Sequence, residues 1–560
     1  MCYISVTMKK LILLLFLLPQ MVLAQNYLRK ADSCMELKNY PCAAANYDFY
    51  LAKIDSSSNG IAYFSAVAWA KAYEKERTMA AIKVYVRNNV LNNNPFFSDQ
   101  MLREKSFDFL HSDARWTDII TAVQKKEAVL RKQRQDKVDS AINFQHQLES
   151  HPVQINNTGS ASDVYKRIRQ YNNFQPIGKR TFSMVFKITD SLQTSYLVCM
   201  PPSYNPGKPY AIMFFLHGAV SMNTGYTAYA DSTFVMGGWN RFYTKYAPQH
   251  DVIMVYPNGN KEYNWMYPDA GFYMIPAMLK NLKQFINIDD NRVSVTGHSN
   301  GATGSFSYLI KQPSPFAAFY GFNTRPRIAT GGTYIRNILN RSYFNVSTDQ
   351  DYYYPPGAND TLDVAMKHIG ADYQDHRFNG FPHWFPQFDE SEPAYAMLFA
   401  NLDQRRRDPF RQNIQWECDN VQYGRCDWLA VNALDTLQQR AAWHTNINFG
   451  IHKWLVQDNK GKAIEHDTLS YAFTYPKRSG AVKATYAGNK FMIETSDVKS
   501  FSIYISPEMV DLNKSVIVTV NGKQYFHQKV KYDKEFMLAK FQQTADRKAV
   551  WVNHIDINLP

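Results

Sequence analysis

The 560 residues carry a net charge of +13, with 45% hydrophobic and 20% charged side chains. This composition excludes a disordered chain, and the length is too great for one core, so about two to four domains are expected. The basic residues are spread along the chain with no recognisable nucleic-acid-binding fold, which argues against a nucleic-acid partner and leaves attraction to an acidic polysaccharide or envelope surface.

The N-terminus reads as a secretory signal over residues 1–24. Met8-Lys9-Lys10 is a basic start, Leu11 to Leu18 an apolar core, and Val22-Leu23-Ala24 a small-residue cleavage site before Gln25. The apolar core is too short to span a bilayer, and no cysteine follows the cleavage site to carry a lipid anchor. Export to the periplasm or the outside is expected, with no transmembrane segment. Of six cysteines, Cys2 would leave with the signal. The oxidising compartment allows a Cys34–Cys42 bridge in a helical hairpin and a Cys418–Cys426 bridge closing a short loop, with Cys199 a free thiol in a core strand. Spacing alone does not decide between bridged and free.

Residues 25–120 carry Ala, Tyr and Leu at helical spacing: Tyr27, Ala31, Met35, Tyr40, Ala43, Ala44 and Tyr47, then Ala62, Ala66, Trp69, Ala70 and Tyr73. They predict two helical hairpins resembling tetratricopeptide repeats without the full consensus, closed by an element with Phe107, Phe109, Leu110 and Trp116. Such a domain offers a surface for a protein partner. A polar helix and loop over 121–165, including the basic run Lys125 to Lys137 as a solvated face, lead to an α/β domain at 166–405. Arg405-Arg406-Arg407-Asp408-Pro409 marks its end, and 406–439 reads as a connecting segment. From 440 to 560 the pattern alternates between short strands and tight turns. Asp458-Asn459-Lys460-Gly461, Ala487-Gly488-Asn489-Lys490 and Val520-Asn521-Gly522-Lys523 are hairpin turns, which predicts an all-β, sandwich-like C-terminal domain.

The chemistry sits in the α/β domain. Gly297-His298-Ser299-Asn300-Gly301 follows a β-branched run, Arg292 to Thr296, and precedes a helix-capable stretch, Ala302 to Lys311. A serine projected from a strained strand-to-helix turn leaves room nearby only for residues without a Cβ, and the next backbone N–H, that of Asn300, can face a developing oxyanion. Upstream, the buried strand Tyr210 to Leu216 ends in His217-Gly218-Ala219, where Gly218 or Ala219 can supply a second N–H. Downstream come Asp349 and Asp351 after the strand Tyr343 to Ser347, and then His383 in Gly380 to Pro386. The order Ser299, Asp351, His383 is nucleophile, acid, base.

These stretches resemble the secreted esterase branch of the α/β-hydrolases, which includes polyhydroxybutyrate depolymerases, feruloyl esterases and acetylxylan esterases. The resemblance covers about residues 170–405 and also rests on Tyr196 to Tyr204, Val255-Tyr256-Pro257-Asn258-Gly259, Asp289 to Val293, and the His-Trp-x-Pro tail at His383. It implies an α/β-hydrolase core, a Ser299 nucleophile and a His383 base. It favours Asp351, four residues before Pro355, over Asp349 as the acid. Phe381-Pro382 departs from the glycines common before that histidine and narrows the pocket. His376 and His368 are rival bases, while His298 and His217 read as packing residues beside the elbow and the oxyanion loop. Trp265, Tyr352, Tyr353, Tyr354 and Trp384 cluster in loops near the mouth, where Trp265, Tyr352 and Trp384 are candidates to touch substrate, either stacking on a sugar or phenolic group or walling the cleft.

The expected activity is ester hydrolysis through an acyl-enzyme, with polysaccharide-linked acyl groups as one substrate class. No metal or cofactor is implied, since no His-Glu-x-x-His, Cys-x-x-Cys, P-loop or dinucleotide fingerprint is present. A peptidase or thioesterase of the same fold is the chemical rival. A binding or scaffold protein with an inactive hydrolase fold is the rival from another class.

Overall fold

The computed structural model describes residues 27–91, 97–220, 235–266, 269–457 and 463–560. The signal expected over 1–24, with Cys2, and the turn Asp458 to Gly461 lie outside the described residues. The chain divides into two compact units, 1–139 and 140–560.

The first unit is helical. A helix over 27–36 is followed by Tyr40–Lys53, Asn59–Lys71, Lys75–Leu91 and Ser98–Arg103, and then by the start of the long helix Ala114–Glu149. The starts are capped: Asn39 accepts the Cys42 N–H at 3.3 Å, with Pro41 in the first turn, and Ser58 accepts the Ile61 N–H at 3.4 Å. Ala31, Ala43, Ala44, Ala62 and Ala66 are wholly buried, so successive helices approach closely around Tyr47, Trp69 and Tyr85. Cys34 and Cys42 are bridged, with Cα atoms 5.8 Å apart. Among the described residues no helix is long and apolar enough to cross a membrane.

The second unit is built on an eight-stranded sheet. Its strands are β1 (Thr181–Lys187), β2 (Gln193–Cys199), β3 (Tyr210–Leu216), β4 (Val252–Pro257), β5 (Ile288–Gly297), β6 (Ala318–Phe322), β7 (Ser342–Gln350) and β8 (Tyr373–Pro382). Their order is β1-β2-β4-β3-β5-β6-β7-β8, with β2 antiparallel to both neighbours and the run from β4 to β8 parallel. Parallel strands need crossovers, and the helices Met274–Leu282, Asn300–Lys311, Pro356–His368 and Glu392–Gln404 supply cover for the sheet. All seven residues of β3 are buried, which is why it reads as a continuous apolar run rather than an alternating one. This is an α/β core of the hydrolase type, whose parallel strands deliver their C-terminal ends to one edge.

The C-terminal region differs from expectation in three ways. The stretch 406–439 is not a connector: it holds strands Asn413–Cys418, Arg425–Cys426 and Leu429–Leu434, and Ile414, Trp416, Trp428 and Val431 are core residues there. These strands join a five-stranded and a four-stranded sheet, while the hairpin Gly450–Gln457 with Ala463–Tyr471 forms its own two-stranded sheet. A helix, Lys534–Thr544, also interrupts the strands, so the region is not all-β. The third difference concerns the thiols. Cys418 and Cys426 are free and buried, Cys418 in the five-stranded sheet and Cys426 in the four-stranded one. Cys199 is free as well. The turns at Gly488 and at Asn521-Gly522 adopt positive φ, +55° at Gly488 and +48° and +82° at the pair, as two-residue hairpins require.

Buried ion pairs join the sheets to the hydrolase core. Arg407 donates from both terminal nitrogens to Asp546, at 2.7 and 3.1 Å, and Lys283, paired within the core to Asp290 at 2.5 Å, lies 3.9 Å from the same Asp546. Arg341 reaches Asp427 at 2.5 Å. Truncating one partner strands a buried charge, so Arg407→Met should destabilise this unit by about 3–5 kcal/mol, read as a lowered urea midpoint with unchanged m-value.

Candidate active site

Ser299 sits between β5 and the helix Asn300–Lys311 with φ +57° and ψ −122°. That region of backbone space is sparsely used by residues with a side chain, and holding it costs about 1–3 kcal/mol. The neighbours hold it in place. The Ser299 N–H donates to the Phe322 carbonyl at 3.0 Å, and the Gly301 N–H to the His298 carbonyl at 2.9 Å. A Cβ on Gly301 would lie 1.7 Å from the Leu216 carbonyl oxygen, and one on Gly297 2.4 Å from the Gly301 carbonyl carbon. Both glycines are therefore steric requirements of the turn.

His383 follows β8 and Asp351 follows β7, so all three side chains rise from the same edge of the sheet. His383 Nε2 is 2.8 Å from Ser299 Oγ, and its Nδ1 is 2.9 Å from Asp351 Oδ1. His383 is 1% exposed and Asp351 2%, so both contacts are shielded from water. The carboxylate is also held from behind. The Tyr353 N–H donates to Oδ1 at 2.8 Å, and Asn323 Nδ2 donates to Oδ2 at 3.0 Å. Asn323 stands at φ +54° just past β6, and its amide also reaches Thr348 Oγ1 at 2.6 Å.

The rivals are engaged elsewhere. Asp349 accepts the Gly380 N–H at 2.7 Å, tying β7 to β8. His376 is in β8 with its ring stacked on Phe344 at 4.3 Å, and His368 ends the helix Pro356–His368. His298 is buried beside His383, with ring centroids 5.0 Å apart. Burial, reinforced by the positive charge that His383 can carry, pushes its imidazole down to about 3. It is therefore neutral, and its Nε2–H donates to the His383 carbonyl at 2.8 Å.

The loop after β3 approaches the nucleophile from the other side. A Cβ on Gly218 would lie 3.1 Å from Ser299 Cβ. Ala219 has φ +52°, and the Val220 N–H donates to Asn300 Oδ1 at 3.3 Å, which ties this loop to the residue after the nucleophile. His217 accepts the Gly259 N–H on Nε2 at 3.1 Å and donates from Nδ1 to the Gly218 carbonyl at 2.6 Å. Its desolvation lowers its proton affinity, in keeping with a neutral ring that both donates and accepts. A trans peptide points its N–H opposite to its C=O, so pinning the Gly218 carbonyl also fixes the direction of the Ala219 N–H.

The aromatic residues sort differently from expectation. Trp265 is wholly buried and is not at the mouth: it packs edge-on under His217 at 4.9 Å and fills the space left by Gly259 and Gly304. Tyr354 is buried too. Trp384 and Tyr352 are half-buried beside the base, with ring centroids 5.0 and 6.4 Å from His383. Tyr353 lies closer, at 4.2 Å, and is 46% exposed. Trp239, 40% exposed, meets Trp384 edge to face at 5.8 Å and completes the rim. Sequence reasoning missed Trp239 and Asn323. The first carried a weak signal, a tryptophan after Gly237-Gly238. The second carried none, since nothing local relates it to Asp351.

No family model matches the chain, and no curated protein matches it. Among solved structures it is similar to a thermostable esterase, at 20% identity and TM-score 0.33, covering 41% of this chain and 64% of that one. It is also similar to a ferulic acid esterase, at 17% identity and TM-score 0.31 over 40% of this chain and 98% of that one. An S-formylglutathione hydrolase from Staphylococcus aureus aligns at 15% identity and TM-score 0.30, over 40% of this chain and all of that one. The activities in those names are those proteins' own; the reading of this chain rests on its own residues.

The neutral His298 has a consequence for stability. Its affinity for a proton falls from an unfolded value near 6.5 to about 3, so between these pH values the unfolded chain binds a proton that the folded chain does not. Stability is therefore lost as pH falls through that window. His298→Gln removes this titration, and its unfolding free energy in urea should decline less steeply between pH 6 and about 4 than that of the parent.

Proposed function

We propose that the protein is an exported serine esterase that hydrolyses carboxylic esters through an acyl-enzyme. The observation that carries this reading is the unbroken line Ser299 Oγ, His383 Nε2, His383 Nδ1, Asp351 Oδ1, with contacts of 2.8 and 2.9 Å. Ser299 Oγ attacks the ester carbonyl as His383 takes its proton, and Asp351 holds the tautomer and stabilises the imidazolium. The tetrahedral oxyanion is bound by the N–H of Asn300 and that of Gly218 or Ala219, each worth about 3–4 kcal/mol in the transition state. His383 returns its proton to the departing alcohol, then activates the water that releases the acyl group.

The rim of Trp239, Tyr352, Tyr353 and Trp384 supports a substrate with a flat face beside the scissile bond, either a phenolic acyl group or a sugar ring. Esters on a polysaccharide present both. The Cys34–Cys42 bridge and the N-terminal apolar stretch support an oxidising, exported setting. We read the helical unit as a surface for a protein partner.

A fluorophosphonate probe tests the nucleophile without knowledge of the substrate. The adduct should map to Ser299 by peptide mass spectrometry and be absent in Ser299→Ala. Folded parent protein that stays unlabelled sinks the enzyme reading. On an activated aryl ester, His383→Ala and Asp351→Asn should each lower kcat by about 10⁴-fold, and Asp349→Asn by less than about tenfold. Trp384→Ala and Trp239→Ala should raise KM for a phenolic ester by about five- to tenfold, and for an acetate ester by less than about twofold.

A further inference from the structure

A cavity of about 450 Å³ lies where the hydrolase core meets the C-terminal sheets. The helix Asn300–Lys311 begins at the nucleophile and ends at this cavity, so the two are separated by its length, about 18 Å at 1.5 Å per residue. The volume is within the range of small-ligand sites, about 300–1,000 Å³. It therefore has room for a ligand that the proposed chemistry does not use.

Its lining is charged. Five cations face it, Lys280, Lys283, Lys311, Arg407 and Arg425, against two carboxylates, Asp427 and Asp546. The further carboxylates behind the wall, Asp290 on Lys283 and Asp419 on Lys311, are accompanied by Arg547 and Arg341, so a positive surplus persists. Lys280 is exposed at the opening. Arg425 lies over the Tyr504 ring at 4.6 Å and donates Nε to the Asp427 carbonyl at 3.4 Å. Among the described residues no carboxylate oxygen lies within 4.0 Å of its side-chain nitrogens. A guanidinium in this position is suited to an oxyanion brought from outside.

Asp427 makes the opposite demand. It is 1% exposed; Oδ1 takes Arg341, while Oδ2 is buried with no hydrogen bond. An unpaired buried carboxylate oxygen calls for a donor. Sulfate would satisfy the cations but carries no donor for Oδ2, and phosphate, with up to two negative charges on one small group, would set more charge against two carboxylates than a single carboxylate does. A ligand with a carboxylate at one end and hydroxyls at the other satisfies both. Tyr423 and Trp551 add apolar wall beside these groups, against which the C–H face of a sugar ring packs.

We propose that this cavity binds a uronic acid of one or two sugar units, its carboxylate held by Arg425 and Lys280 and a hydroxyl donated to Asp427 Oδ2. The site is independent of ester hydrolysis, and its test does not depend on turnover. The full chain carrying Ser299→Ala is titrated calorimetrically with galacturonate, digalacturonate, glucose and inorganic phosphate. The expected result is saturable binding of at least one uronate, one per chain, with no heat from glucose or phosphate. Arg425→Ala and Lys280→Ala should each weaken binding by about tenfold or more, with melting temperature and far-UV circular dichroism unchanged. Arg425→Gln serves as the second variant if alanine perturbs the fold, with the same expected loss. Trp384→Ala, at the catalytic rim, should leave uronate affinity within about twofold. Four outcomes overturn the proposal: silence with both uronates, phosphate binding as tightly as uronate, affinity unmoved by the Arg425 variants, or affinity lost in Trp384→Ala.

Discussion

The backbone of Ser299 is the constraint around which the second unit is arranged. At φ +57° and ψ −122° it lies where a side chain is disfavoured, and the local bond from the Gly301 N–H to the His298 carbonyl is only part of what keeps it there. The support comes from three separate strands. Leu216 at the end of β3 leaves only enough space for a glycine at 301, Phe322 at the end of β6 accepts the Ser299 N–H, and Gly297 at the end of β5 lets the helix start directly against the strand. A parallel sheet supplies such convergence because its strands end together at one edge. The same edge delivers Asp351 and His383 from β7 and β8. Position of the nucleophile and position of its partners are thus one property of the sheet.

Around that turn, buried polar groups act through paired demands. His217 is neutral because it is desolvated, and being neutral it can both accept from Gly259 and donate to Gly218. His298 is neutral for the same reason and spends its one N–H on the carbonyl of His383. Neither ring competes for the proton that His383 must carry. Trp265 has a mechanical part in this: it fills the space that Gly259 and Gly304 leave and presents its edge to His217. A tryptophan in a loop near a site invites a ligand-stacking role. Here the two glycines opposite it are what turn it inward.

The legible parts of the sequence were those whose signal is local. Gly297-His298-Ser299-Asn300-Gly301 after a β-branched run encodes a turn that only a few backbone shapes satisfy, and β3 shows its burial as seven apolar residues in succession. The Asn521-Gly522 pair likewise states its own turn type. What could not be read depends on partners far along the chain. Asn323 meets Asp351 across two strands, and Trp239 joins Trp384 from 145 positions away in sequence. Strand Asn413–Cys418 was hidden because it pairs with Gly480–Ala487, more than sixty residues on, and because Glu417 and Cys418 break its apolar alternation. Glu417 is inside because Arg336, His444 and Ser479 meet its carboxylate, and no window around 417 contains any of them.

That last point explains why the C-terminal sheets and the hydrolase core form one unit. A surface that only rested on the core would be held by apolar area and weak rim charges. Here, charges are buried in pairs that cross the junction: Arg407, just past the helix Glu392–Gln404, grips Asp546, Arg336 grips Glu417, and Arg341 grips Asp427. Such pairs add little net stability compared with well-packed apolar residues, but they penalise any arrangement in which one partner is missing. They therefore fix the register of the two halves more firmly than they raise its free energy. The cavity between them is walled by the same seam: among the described residues no carboxylate oxygen lies within 4.0 Å of the Arg425 nitrogens, and Asp427 keeps one buried oxygen without a hydrogen bond. The helix Asn300–Lys311 runs from the strained serine to that space, so the same element that opens with the nucleophile closes, at Lys311, in the charged seam that holds the halves together.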